Sequence, residues 1–275
     1  MNMSALETTK KEAVLFLTHV WSESLARKFI SLRQSTINMM DCFVLVDAMD
    51  PEVVDSWQSW LDNNGCGDHV LQFDANQIEA SLGYDCYVQG KIVPGSAHYP
   101  VLNFWKSFKY EHYWVIEFDV CLTGEWSAFF ELFEHDQSDL LLSHLTSYDL
   151  DPGWSWWSSI RVPFEVLNNI PKGDFKFFYK GFCPIYRITY QALAVIDIAY
   201  TEGWRGHFEG TLPTILMHKK LSIKDFNDFG DLYFKGPVGP GDGNPPFSSL
   251  RWRPEIQPNE LNASVGLKIF HPVKF

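Results

Sequence analysis

"AVLFLTHVWSESLARKFISLRQSTINMMDCFVLVDAMD", residues 13–50, is the stretch on which the fold turns. Residues 13–18 make an apolar run of strand length. "SESLARKFISLRQS" (22–35) then sets its apolar residues at helical spacing behind Ser22, a side chain suited to cap a helix. "CFVLVDA" (42–48) reads as a second short strand, ending in Asp47. Outward from there, "DPEVVDSWQSWLDNNG" (50–65) opens on Asp50 as cap with Pro51 in the first turn and closes at Gly65, and "HVLQFD" (69–74) supplies a third strand. Strand and helix alternating in this way specify an α/β fold with a mostly parallel central sheet flanked by helices, in which ligands sit beyond the carboxyl ends of strands. His19, Asp47 and Asp74 fall near such ends.

"YPVLNFWKSFKYE" (99–111) looks helical and leads into "YWVIEFDVCLTG" (113–124), a strand over 113–118 that carries Glu117 and Asp119. Residues i and i+2 of a strand share a face, so the two carboxylates can point together past the strand end. They could cap the following helix or meet only solvent. The fully apolar "YWVI" before them and Gly124 after them favour a ligand role, and oxygen ligation suits Mg²⁺ or Mn²⁺ with a nucleotide diphosphate as the other half of the site. Downstream, "SAFFELFEHD" (127–136) reads as a helix, "DLLLSHL" (139–145) as a strand, and "GWSWWSS" (153–159) as an aromatic loop. A strand is expected near 176–179 and a helix near 187–201, ended by Gly203. Residues 235–260 are rich in Gly and Pro with little periodicity, the pattern of a functional loop or of disorder.

A chain of 275 residues with 46% hydrophobic and 16% aromatic content can bury a core as a single fused domain. Its net charge of -12 argues against nucleic acid as a partner and against membrane binding driven by bulk charge, leaving peripheral membrane association to other contacts. The cysteines at 42, 66, 86, 121 and 183 are odd in number and form no CxxC, so neither a disulfide framework nor a structural zinc is expected, and Cys42, Cys121 and Cys183 read as small buried side chains. The apolar run near the N-terminus is broken by Thr18 and His19 and lacks a small-residue cleavage site, so it reads as a core strand rather than a signal peptide. No run is long enough to span a membrane, and a cytoplasmic location is expected. No G-x-S-x-G elbow, P-loop or strand-to-helix G-x-G-x-x-G is present.

The order of elements, the "EFD" acid pair, "GHFEGTLPT" (206–214) and "FHPVK" (270–274) together resemble the GT-A-type, nucleotide-sugar-dependent glycosyltransferases, over Val14 to Lys274. Glu117 stands where that family commonly has Asp. The resemblance implies a GT-A-like (Rossmann-like) fold, a nucleotide-sugar donor, a glycan or glycoconjugate acceptor and Mn²⁺ or Mg²⁺. It implies Asp119 as principal metal ligand, Glu117 as auxiliary ligand and sugar or ribose contact, His271 completing the metal site, and Lys274 holding diphosphate. His19 and Asp47 would also face the donor. The resemblance further implies a tail over 1–11, a donor-binding half over 12–125 and an acceptor-binding half over 126–275.

Transfer to a hydroxyl needs a base, and Glu209 matches the acid that opens a helix after the acceptor loop in inverting members; it could instead cap the helix or pair with Arg205. His207 is the lesser candidate. His271 could be a solvated tail residue, although Pro272 stiffens the backbone beside it. Trp154 and Trp156 could offer a stacking platform to an acceptor sugar or simply cover the sheet. The loop "GPVGPGDGNPPFSSLRWRP" (236–254) could close over donor, with Arg251 or Arg253 meeting phosphate. The alternative to an enzyme is a non-catalytic carbohydrate- or nucleotide-binding protein of the same fold.

Overall fold

The structure, a computed structural model, describes residues 10–86, 95–167, 177–236 and 248–274. Strands β1 (Glu12–Thr18), β2 (Met40–Asp47), β3 (Val70–Phe73) and β4 (His112–Glu117) pair in parallel, β2 lying between β3 and β1 and β1 between β2 and β4. The intervening helices are α1 (Glu23–Thr36), α2 (Pro51–Asn63), α3 (Ala75–Leu82) and α4 (Tyr99–Ser107). After β5 (Cys121–Thr123) and α5 (Trp126–Glu131) come β6 (Leu140–Ser147), α6 (Phe164–Leu167), β7 (Tyr179–Thr189), α7 (Tyr190–Thr201), α8 (Phe208–His218), β8 (Ile223–Asp225), α9 (Pro258–Asn262) and β9 (Lys268–Phe270). The central sheet has seven strands in the order β3-β2-β1-β4-β7-β6-β8. Only β7 runs against its neighbours, pairing antiparallel with both β4 and β6, while β8 is parallel to β6. The mostly parallel α/β sheet expected from the sequence is what forms.

The apolar runs read as buried strands because both faces of the sheet are covered. Leu15, Leu45, Tyr113 and Ile188 point to one side, under α3, α4, α7 and α8. Val14, Val44, Trp114 and Ile116 point to the other, under α1, α2 and α5. The expected caps are made: Ser22 accepts from the Leu25 N–H and Asp50 from the Glu52 N–H. Asp74 is likewise a cap, accepting from the Asn76 N–H to start α3, a helix the sequence left unassigned.

Several boundaries differ, each for a physical reason. The helix expected over 99–111 stops at Ser107, because the Tyr113 hydroxyl donates to the Phe108 carbonyl and accepts from the Tyr110 N–H. The helix expected over 127–136 is only α5, and Asp136 beyond it is held by the buried Arg187 guanidinium. The strand expected near 176–179 is β7, which runs to Thr189 and takes the first residues of the helix expected over 187–201. Gly181 and Pro184 disguise it. Pro184 is tolerated because it lies just past the last β4 pair, Ile116 with Ile185, and opposite a shift in the β6 register between Leu141 and Ser143. The aromatic stretch is a 3₁₀ turn over Ser155–Ser159, and α8 continues through Pro213. All five cysteines are free; Cys121 is only partly buried.

Residues 237–247 of the expected Gly/Pro-rich loop lie outside the described residues. Its remainder is anchored: Leu250 bridges to His271, and Arg251 is buried. No helix among the described residues is long and apolar enough to cross a membrane.

Candidate functional site

The acid pair does not converge by strand alternation. β4 ends at Glu117, and residues 117–120 form a turn closed by the Val120 N–H donating to the Glu117 carbonyl at 3.0 Å, so Asp119 sits in the turn. β5 follows at once and pairs antiparallel with β9, Cys121 opposite Phe270, which delivers His271 to the turn. The Val273 N–H donates to the Asp119 carbonyl at 2.8 Å, tying the chain's end to it.

His271 Nε2 lies 3.2 Å from Asp119 Oδ1 and 3.6 Å from Glu117 Oε2, and one ligand atom from each residue lies within 4.8 Å of the others. Nδ1 faces the Arg251 carbonyl at 2.9 Å. Donation there holds the ring so that Nε2 faces the carboxylates, protonated in the metal-free chain and able to ligate a cation once that proton is displaced. Burial pushes the His271 imidazolium down, but Asp119 and Glu117 outweigh it and carry its pKa up to about 10. Burial pushes the Asp119 carboxyl up, but His271, the turn's N–H and Lys28 leave it below the usual carboxylate range. Asp119 Oδ1 is buried and, 3.2 Å from Nε2, is paired with it by charge but makes no hydrogen bond. Two carboxylates, one of them with an orphaned oxygen, and an imidazole nitrogen fit a divalent cation, with Mn²⁺ suited to the mixed oxygen and imidazole donors.

Lys28 of α1 was not singled out in the sequence. Its ammonium donates to the Phe118 carbonyl at 2.9 Å and to the Val120 carbonyl, clamping the turn from below; burial brings its pKa down to about 8. His19 stands edge-on to Phe118 of the same turn, ring centroids 5.1 Å apart. Asp47, at the end of β2 two strands away from β4, is buried and accepts from the Met49 N–H at 3.1 Å.

Glu209 lies in the first turn of α8, where Oε1 accepts from the Cys183 N–H of β7 at 3.0 Å. It is not paired with Arg205, whose Nη1 donates to the Tyr200 and Trp204 carbonyls. Burial raises the Glu209 carboxyl to about 7; the Cys183 N–H opposes this, Glu117 adds to it, and Lys180 and His271 oppose it. The same strand connects both groups, since the His271 ring packs edge-on against Phe182, centroids 5.3 Å apart. Lys180, also unremarked in the sequence, is buried beside Asp151 at 2.9 Å and over the Trp154 ring. A lone lysine inside an apolar strand was the available signal. His207 is held neutral by burial, its pKa down to about 4, with Nδ1 3.8 Å from Glu209 Oε2.

The tryptophans divide. Trp154 is buried as wall, edge-on to Trp157 at 4.8 Å, whereas Trp156 is 45% exposed and lies against His207 at 4.9 Å. The residues expected to meet phosphate are otherwise engaged or stand at the surface. Arg251 is closed internally, its two terminal nitrogens each 2.9 Å from the Glu260 carboxylate and Nε donating to the Pro254 carbonyl at 2.7 Å, so it supports His271 rather than reaching outward. Arg253 is exposed, and Lys274 pairs with Glu255 at 3.6 Å.

No protein-family profile and no curated protein sequence matches the chain. Among solved structures, it is similar to the galactosyltransferase LgtC in complex with donor and acceptor sugar analogues, at 11% identity over 78% of this chain and 72% of that one, TM-score 0.41. An active-site mutant of LgtC gives 10% identity over the same shares, TM-score 0.40. HddC from Yersinia pseudotuberculosis gives 13% identity over 78% of this chain and 88% of that one, TM-score 0.40.

Proposed function

We propose that this chain is a glycosyltransferase that moves a sugar from a nucleotide-sugar donor to a hydroxyl of a glycan or glycoconjugate. The observation that supports this most is the juxtaposition, at neighbouring residues of β7, of a trio ready for a cation, His271 packing on Phe182, and a buried carboxyl poised near neutrality, Glu209 accepting from the Cys183 N–H. Asp119, His271 and Glu117 would hold Mn²⁺ or Mg²⁺, and a bound cation would offset the charge of the leaving diphosphate. Glu209 takes the proton of the acceptor hydroxyl as its oxygen bonds to the anomeric carbon and the bond to phosphate breaks. Its raised pKa suits that exchange near neutral pH. Residues 12–125 supply the donor side, with His19 and Asp47 at the strand ends, and residues 126–275 the acceptor side, with Trp156 and His207.

A thermal-shift panel of UDP, GDP, CMP and ADP, each with and without Mn²⁺, tests the donor site. One nucleotide is expected to raise the melting temperature only with Mn²⁺, by roughly 5 °C at a hundredfold excess over its dissociation constant. No rise with any of the four would favour the non-catalytic binding protein.

Lys28 gives a second check. Lys28→Met removes both carbonyl clamps on the turn while keeping the aliphatic stem, and is expected to weaken Mn²⁺ binding about 10–100-fold, the usual consequence of losing outer-shell support. Unchanged affinity by Mn²⁺ titration would show that the turn is held without it.

A further inference from the structure

We infer that the cavity beside His207 receives an anionic group, phosphate or carboxylate, carried on a sugar. Calling that sugar the acceptor rests on the glycosyltransferase reading above. The cavity holds about 250 Å³ and is lined by Arg161, Arg205, Trp156, Ser158 and His207 among others. That is below the roughly 300–1,000 Å³ of drug-sized sites and suits a single ring with its substituent.

The two arginines face each other across an antiparallel bridge, the Arg161 N–H donating to the Arg205 carbonyl at 2.8 Å and the reverse bond at 3.1 Å. Like charges directly opposite one another destabilise a strand pair, so the arrangement has a cost that a bound anion would remove. Arg205 is fixed by its two backbone carbonyls and by lying over the Tyr84 ring at 5.6 Å. Arg161 is exposed and has no ion-pair partner among the described residues. Asp85 also lines the cavity, which leaves an excess of positive charge in a chain whose net charge is -12.

The walls meet only because two positions lack a side chain. A Cβ at Gly206, whose φ is +131°, would lie 2.7 Å from the Ser159 carbonyl oxygen, and one at Gly95 would lie 2.6 Å from the His207 ring. The His207 N–H donates to Ser159 Oγ at 3.0 Å, and α8 opens here, so its N-terminal dipole adds to the guanidinium charge. His207 Nδ1 is buried without a hydrogen bond between this cavity and Glu209. A sugar anchored by its anion at Arg161 and Arg205, with a face on Trp156, lies beside His207, whose Nδ1 is 3.8 Å from Glu209 Oε2. Guanidinium forks recognise phosphate and carboxylate alike.

Calorimetric titration of the full chain with glucose 6-phosphate, glucuronate and glucose tests this. Both charged sugars are expected to bind about tenfold tighter than glucose or better, and the tighter of the two identifies the natural anion. Arg161→Ala should erase that advantage while Mn²⁺-dependent nucleotide binding persists, and Arg161→Lys should restore part of it. The inference is overturned if charged sugars bind no better than glucose, or if Arg161→Ala leaves their advantage intact. Charged-sugar binding with no Mn²⁺-dependent nucleotide binding would keep the anion site and remove the glycosyltransferase reading; the reverse result would remove the site alone.

Discussion

Glu209→Gln is expected to bind donor nucleotide as the native chain does and to transfer sugar about 10²–10⁴-fold more slowly. The amide keeps the shape of the carboxyl and can still accept from the Cys183 N–H, but it cannot take the acceptor's proton. The native rate should rise with pH and level off above about 7, where Glu209 becomes ionised, and that limb should vanish in the variant. The same substitution should stabilise the fold at alkaline pH. A carboxyl whose pKa goes from 4.5 to about 7 on folding holds its proton longer in the native state than in the unfolded chain, so the native chain loses stability as pH rises through that window. The amide escapes this loss, a gain on the order of 3 kcal/mol at pH 8 that disappears below pH 4.5. Denaturant titrations at the two pH values measure it. Full transfer activity in Glu209→Gln would move the base elsewhere, with His207 next in line at 3.8 Å. Equal stability at pH 8 would show that the native carboxylate is ionised there without penalty.

The first half of the sheet was legible because each of β1, β2 and β3 is a short apolar run bounded by a capping residue, and local signals of that kind survive without knowledge of partners. β7 was not, because Gly181 and Pro184 report only local backbone preference. Their tolerance depends on the end of β4 and on a bulge in β6, both remote in sequence. The Glu117, Asp119 and His271 cluster shows the same division. Glu117 and Asp119 announced themselves as charges leaving an apolar strand, yet the reason they converge is a turn, and its clamp, Lys28, sits about ninety residues earlier on a helix where nothing marks it as different from a surface lysine. His271 was legible only through resemblance. The pairing of β5 with β9 is what makes it part of the site, and a pairing of two three-residue strands at opposite ends of half the chain leaves no periodic trace. Arg251 misled for a related cause: a guanidinium in a Gly/Pro-rich segment looks available until its partner Glu260 is seen.

Asp119→Asn and His271→Ala are each expected to lower Mn²⁺ affinity by at least about a hundredfold, more than the 10–100-fold typical of outer-shell changes, and to abolish Mn²⁺-dependent nucleotide binding. Asp119 supplies the oxygen that the protein leaves without a hydrogen bond, and His271 supplies Nε2, which the Arg251 carbonyl turns inward by holding Nδ1 and which would give up its proton to the cation. The Asp119→Asn variant keeps the side-chain volume and loses the charge. Its apo stability should also fall, because a buried imidazolium then faces one carboxylate, Glu117, instead of two. His271→Ala removes that imidazolium and leaves two carboxylates within reach of each other, so its apo form should recover stability when pH falls below the carboxylate range. Direct Mn²⁺ titration followed by electron paramagnetic resonance reads the affinity without recourse to activity, and circular dichroism with a melting curve verifies the fold. Glu117→Gln should cost less than either, since Glu117 is the more exposed carboxylate at 30% and lies farther from Nε2. If Mn²⁺ affinity survives in both Asp119→Asn and His271→Ala, the trio is an ion pair in its own right, with His271 as its permanent cation, and donor phosphate must be met by other groups along the β4 and β7 edge.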